Sequence, residues 1–489
     1  MSAISASRLR PLIGSRSFYR EAVLVMLPVA GQQLLNSMFG FFDNLMVGMV
    51  DAATLSGVTV ANKVFFVYQG IFWGITGAGG LLLSQYYGAG DRKTCQILFA
   101  LQQLAGLLVA IAFTGILLVA PEMLLRAFVS DPATIAAGMG YVELIRFSYL
   151  PAAVSMVSLF SLRSVGQSKV PFVVGLFTIS VNIVLNWIFI FGKLGLPAMG
   201  GRGAALATLI ARIVEMLFYL IWIGSGRTWF TWNIAAARGA GRKLIRMVVD
   251  KTFPLIANEF LWTMGTNMLF WSYARINEYA VPALVIVEQS MQFVYVMFGG
   301  MSAGVAILIG SRLGAGRFEE ARRNSNQLMF MASCIGLVLM IISIAVSGVL
   351  PGFFNVSDEL RQMATLLIRI QTLFFIPQIL YTNIFFVLRA GGDIPSAFRL
   401  DAVYTWLVPI PLAILIATVV PLVTPVSIVV AYVITQFMLN AKLALAFKYY
   451  AKGLWLKNLT VEHNHDQDHD QSDQTGQPGN PSPSISGIS

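Results

Sequence analysis

Long apolar runs follow one another from about residue 20 to about residue 453, with short polar, glycine or proline interruptions between them. A helix needs about 20 consecutive apolar residues to cross the hydrocarbon core of a bilayer. The pattern therefore predicts an all-α integral membrane protein with twelve transmembrane helices. Six spans are expected near 22–49, 55–86, 95–120, 137–162, 171–191 and 203–224, and six more near 247–274, 280–311, 324–350, 361–388, 396–419 and 425–451. Nearly the whole chain is used by these spans, which leaves no room for a separate soluble catalytic domain.

The same pattern repeats at an offset of 226 residues. Pro28 matches Pro254, Gly88-Ala89-Gly90 matches Gly314-Ala315-Gly316, Pro151 matches Pro377, and Leu162-Arg163 matches Leu388-Arg389. Six spans per copy is an even number, so both copies enter the membrane in the same direction. Such a parallel repeat predicts two six-helix bundles related by a pseudo-two-fold axis, with a substrate site between them and rocking of one against the other. The expected organisation is a basic N-terminus at 1–21, an N-terminal lobe at 22–224, a linker at 225–246, a C-terminal lobe at 247–452 and a disordered polar tail at 453–489.

Composition agrees with a membrane protein: 57% of the 489 residues are hydrophobic and 11% are charged. The 33 Lys and Arg outnumber the 23 Asp and Glu, giving a net charge of +10. These cations are unevenly distributed. The N-terminal face of the twelve-span arrangement holds 23 of them, against five on the opposite face, namely Arg126, Lys193, Arg202, Arg275 and Arg361. Basic loops are retained in the cytoplasm, so both termini are expected there, in a multi-pass protein of the cell membrane. A nucleic-acid partner would need a basic, aromatic stripe on a soluble face. Here the bilayer accounts for the charge. Arg8, Arg10, Arg16 and Arg20 precede the first span without a small-residue cleavage site, so no removable signal peptide is read.

Several chemistries drop out. Cys95 and Cys334 form no spaced pair, and His463, His465 and His469 all lie in the tail. Imidazole chemistry inside the membrane is thus excluded, and no thiolate metal site is expected. No GxxxxGK[ST] motif offers direct ATP drive. GAGD at 88–91 resembles an intramembrane protease motif, but its repeat reads GAGR at 314–317, and both are expected to be glycine turns at a cytoplasmic loop. Gly70 and Gly74, with Gly300 and Gly304, have the GxxxG spacing of close helix packing. No enzyme and no cofactor are expected.

Charges inside the spans are the informative residues, since each costs about 2.5–3.5 kcal/mol near a helix centre on insertion scales. Glu143 with Arg146, and Arg212 with Glu215, are spaced i,i+3 and are expected to neutralise each other. Asp43, Glu259, Glu288 and Asp401 have no opposite charge at such spacing and are the functional candidates. They do not follow the repeat: at the 226 offset Glu259 meets Gln33, Asp401 meets Gly175 and Asp43 meets Leu269. Asn182 and Asn186, one turn apart on the fifth span, form a further half-specific polar site.

Segments from both halves resemble the multidrug and toxic compound extrusion (MATE) family over about residues 20–450. They are FFDNLMVG at 41–48, LRSVGQSKVP at 162–171, NIVLNWIFIFG at 182–192, GAALAT at 203–208, PLIANEFLW at 254–262, GSRLGAG at 310–316 and LRAGGDIP at 388–395. The resemblance implies a two-lobed, V-shaped secondary antiporter that exports organic, often cationic, small molecules in exchange for H+ or Na+, and a monomer is expected. It implies an N-lobe polar site at Asp43, Asn182 and Asn186, and a C-lobe cation site, with Na+ a candidate ion, at Glu259 and Asp401. Asn186 stands where some members carry an acid, and Ala397 stands where certain sodium-driven members carry a tyrosine one turn before the last acid. The lipid-linked oligosaccharide flippases of the same superfamily are the alternative. They need cavity cations for pyrophosphate, whereas the unmatched intramembrane charges here lean acidic, with Lys63 and Arg369 the main exceptions.

Overall fold

Ser15 accepts a hydrogen bond from the Phe18 amide and thereby caps the first helix, α1 (Arg16–Gly48). In the computed structural model, which describes residues 13–50, 52–126, 132–354, 356–422 and 427–461, eleven more spans follow. The N-terminal set continues with α2 (Ala52–Gly88), α3 (Arg92–Val119), α4 (Pro132–Ile145 and Tyr149–Ser164), α5 (Lys169–Phe191) and α6 (Gly200–Gly224). The C-terminal set is α7 (Arg242–Ile276), α8 (Val281–Leu308), α9 (Phe318–Val346), α10 (Asp358–Leu373 and Phe375–Ala390), α11 (from Ile394 to Thr418, in pieces) and α12 (Ile428–Lys452). The tail histidines His463, His465 and His469, and the cations Arg8 and Arg10, lie outside the described residues.

Ten of the described helices are long and apolar enough to cross a membrane, and the bent α10 makes eleven. The remaining span, α7, falls below that threshold because Asn258, Glu259, Thr263, Thr266 and Asn267 interrupt its apolar run. It is nonetheless a continuous helix of 35 residues.

Two spans break at matching places. In α4 a 3-10 turn at Arg146–Ser148 separates the two pieces, and α10 bends by 51° at Phe374. Pro151 and Pro377 explain both breaks. A proline leaves the carbonyl four residues earlier without its amide partner and crowds it, and those carbonyls belong to Phe147 and Leu373. The 3-10 turn also redirects the expected Glu143–Arg146 pair. Glu143 instead forms its ion pair with Arg202, and the Arg146 guanidinium lies over the Phe147 ring. Arg212 and Glu215 do pair as expected, at 2.8 Å.

The two bundles are not cleanly separate. The first turns of α1 place Phe18, Ala22 and Met26 in the core formed by α8, α9, α10 and α12, while the first half of α7 places Leu244 and Leu255 in the N-lobe core. Beyond the crossing, each helix returns to its own bundle: Asp43 of α1 meets α5, and Leu269 and Tyr273 of α7 join an outer C-lobe core. The lobes therefore cross at the end where α1 and α7 begin. Small residues permit the crossing. A Cβ on Gly74 would collide with Ile256, and one on Gly300, its repeat partner, would crowd Ala30 and the Met26 carbonyl. Gly304 packs on Met26 in the same way, whereas Gly70 meets nothing among the described residues and does not share the packing role.

The GAG motifs do two jobs. Gly90 and Gly316 adopt φ of 79° and 73°, as turn glycines should. Gly88 and Gly314 instead bring the lobes into backbone contact: Gly88 lies on the Ser311 carbonyl and Gly314 on the Gln85 carbonyl, with no space for a side chain at either. Asp91 of the GAGD run is the helix cap of α3, accepting from the Thr94 amide and hydroxyl. After α12 the chain turns back over this contact. Gln85 accepts from the Leu459 amide and donates to the Ala390 carbonyl, and Asn458 donates to the Gly314 carbonyl.

Candidate functional site

In the N-lobe the helix crossing carries Asp43 to the buried face of α5. The Asn186 amide donates to the Asp43 carboxylate at 2.9 Å and to the Asn182 oxygen at 3.2 Å. Asn182 donates onward to the Thr208 hydroxyl of α6 at 3.4 Å. All three predicted residues thus meet, and both asparagines are fully buried. The i,i+4 spacing on α5 aims the two amides along one face. Asp43 forms no ion pair among the described residues, and the Arg212 guanidinium beside it is engaged by Glu215. Its hydrogen-bond partner among the described residues is the neutral amide of Asn186. A carboxyl held this way can change protonation without breaking a salt bridge, because an amide offers both a donor and an acceptor.

The C-lobe is built differently. Asp401 sits in a π-turn, Arg399–Val403, where the Tyr404 amide reaches back five residues to the Arg399 carbonyl. Such turns widen a helix locally and recur at functional sites. One carboxylate oxygen of Asp401 pairs with Lys442 Nζ of α12 at 3.0 Å, and the other accepts from Asn258 Nδ2 of α7 at 3.1 Å. The Lys442 ammonium also lies 4.2 Å from the centre of the Tyr381 ring of α10, a favourable cation–π position. Glu259 pairs with Arg389 of α10 at 3.2 Å, and that guanidinium rests over Phe385 and against Gly77 of the opposite lobe. Glu288 stands apart. It is exposed on α8, with no ion pair or hydrogen bond among the described residues.

Sequence reasoning found the acids and missed their partners. Spacing along one helix cannot show a cation delivered by another. Two signals existed. Lys442 interrupts the apolar run of α12, and Arg389 is the repeat partner of Arg163. Both arginines belong to helices rather than to loops: Arg163 is buried and donates to Gln32 of α1, the repeat equivalent of Asn258.

Comparison with known proteins follows the same geometry. The MatE family profile matches residues 28–188 and 254–415, two segments that begin at the repeated prolines Pro28 and Pro254. A probable multidrug resistance protein NorM of Thermotoga maritima is 25% identical over 404 residues, 81% of this chain and 84% of that protein. The multidrug resistance protein NorM of Vibrio vulnificus strain YJ016 is 26% identical over 406 residues, 78% of this chain and 84% of that one. In shape, the chain is similar to an outward-facing multidrug resistance MATE transporter of the MOP superfamily, with a TM-score of 0.80 at 16% identity, covering 91% of this chain and 98% of the other.

Proposed function

The chain belongs to the MATE family of multidrug efflux transporters, and on that premise we propose that it is a secondary antiporter. It exports organic, cationic compounds in exchange for H+ or Na+, as a monomer in the cell membrane with both termini in the cytoplasm. The names of its relatives, multidrug resistance proteins, support the cargo class. The observation that carries the antiport reading is the placement of Asp43. It is a buried carboxyl whose hydrogen-bond partner among the described residues is the neutral amide of Asn186, at the far end of a helix whose near end is anchored in the other lobe.

With the basic face inside, the Gly88 and Gly314 contact closes the cytoplasmic end. Charge change at Asp43 alters what α1 packs against and is felt at the crossing point near Pro28. Glu259 and Asp401 are the second coupling station. Glu288, exposed and without an ion pair or hydrogen bond among the described residues, is the acid available to a cationic cargo. A membrane potential of 100 mV contributes about 2.3 kcal/mol per charge, enough for roughly 40-fold accumulation at 1.4 kcal/mol per tenfold. The test is efflux from vesicles with pH and Na+ gradients imposed separately. Efflux driven by either gradient supports antiport; cargo movement indifferent to both refutes it. Movement of lipid-linked oligosaccharide would point to the flippase alternative.

A further inference from the structure

Asp401 has two carboxylate oxygens, and both are taken by nitrogen donors. Lys442 Nζ is 3.0 Å from one and Asn258 Nδ2 is 3.1 Å from the other. A hard cation needs a shell of oxygen ligands, and a donor N–H presents the wrong end of its dipole. The residue that donates to this carboxylate, Asn258, has a buried Oδ1 without a partner among the described residues, which alone makes no such shell. The Lys442 side chain is 5% exposed, and the Tyr381 ring packs over its ammonium. The second acid offers no more. Glu259 is 3.2 Å from the Arg389 guanidinium, which is itself enclosed by Phe385 and the backbone of Gly77. Each of the two acids expected to hold the C-lobe cation is thus paired with a fixed cation, Glu259 with Arg389 and Asp401 with Lys442. These residues do not fit a sodium ion.

We propose that Lys442 is the specificity-determining residue of this lobe, a tethered cation that fills the position beside Asp401 and so excludes Na+ from it. The proposal deepens the antiport reading by restricting the ion that the C-lobe can take to the proton. A tethered ammonium competes at a local concentration that free Na+ cannot match, and its charge repels a second cation at van der Waals distance. Glu259 is closed in the same way by Arg389, so Lys442 removal re-creates a single site, at Asp401.

The test is binding rather than transport, so it stands whether or not antiport is found in vesicles. Thermal unfolding of the purified full-length protein in detergent is compared in NaCl and in choline chloride of equal ionic strength. Wild type should unfold at the same temperature in both. Lys442→Met should gain a Na+-specific rise of about 2 °C or more, as a ligand that binds only the folded state produces. The rise should vanish in Lys442→Met combined with Asp401→Asn. Lys442→Gln is the polar substitute should the methionine variant fail to fold. A Na+-specific rise in wild type that Asp401→Asn abolishes would overturn the proposal. So would the absence of any Na+ response in both folded Lys442 variants.

Discussion

Gly88 rests on the carbonyl of Ser311, and Gly314 on that of Gln85, the same contact seen from either side of the repeat. An added methyl at either position has no space unless the lobes part. Overpacking of this kind costs about 1–3 kcal/mol, roughly a 5- to 150-fold shift in population. Gly88→Ala and Gly314→Ala should therefore raise the accessibility of this end of the molecule and slow efflux. Labelling of a cysteine placed at Ser311 reads the first effect; unchanged labelling would show that the contact is not a gate.

Asp401→Asn should destabilise the protein by about 3–5 kcal/mol, since it leaves the Lys442 ammonium buried without its anion. Combining it with Lys442→Met should recover most of that loss, because no unpaired charge remains. Thermal unfolding measures both. If Asp401 also couples transport, the recovered double variant will still fail to drive efflux, and Glu259→Gln will fail likewise. Normal efflux in the double variant would confine Asp401 to a structural role.

Asp43→Asn preserves a hydrogen bond to Asn186 but removes the proton. Proton-driven efflux should be lost and the pH dependence flattened, with folding retained. A wild-type rate and pH profile in this variant would leave Asp43 as a fastening between α1 and α5.

Orientation is checked by single cysteines in a background lacking Cys95 and Cys334. Positions 238 and 319 should react with impermeant reagent from the cytoplasmic side, and positions 122 and 193 from outside. Reaction of Lys193→Cys from the cytoplasm would reverse the assignment built on the basic loops.

The helices and the repeat were legible because apolar length and repeated prolines are local properties of the chain. Asp43, Asn182 and Asn186 were legible too, as polar residues that an apolar span does not tolerate without a purpose. The partners of Glu259 and Asp401 were not. A basic residue beside Gly391-Gly392, such as Arg389, reads as the end of a span, yet its side chain turns inward to α7. The double role of the GAG motif was hidden for a related reason. Turn geometry follows from φ, but the closeness of Gly88 to Ser311 depends on two segments more than 200 residues apart.

The crossed helices also set an order of assembly during synthesis. Leu244, Leu255, Ile394 and Leu459 all belong to the core of the lobe that leaves the ribosome first. That lobe cannot finish packing when α6 has inserted. Until α7 arrives, lipid tails cover its unpacked face, and Leu459, which packs in the same core, is translated after α12. A chain that stops after α6 therefore lacks these four residues of its own core, and the last of them is added only near the end of translation.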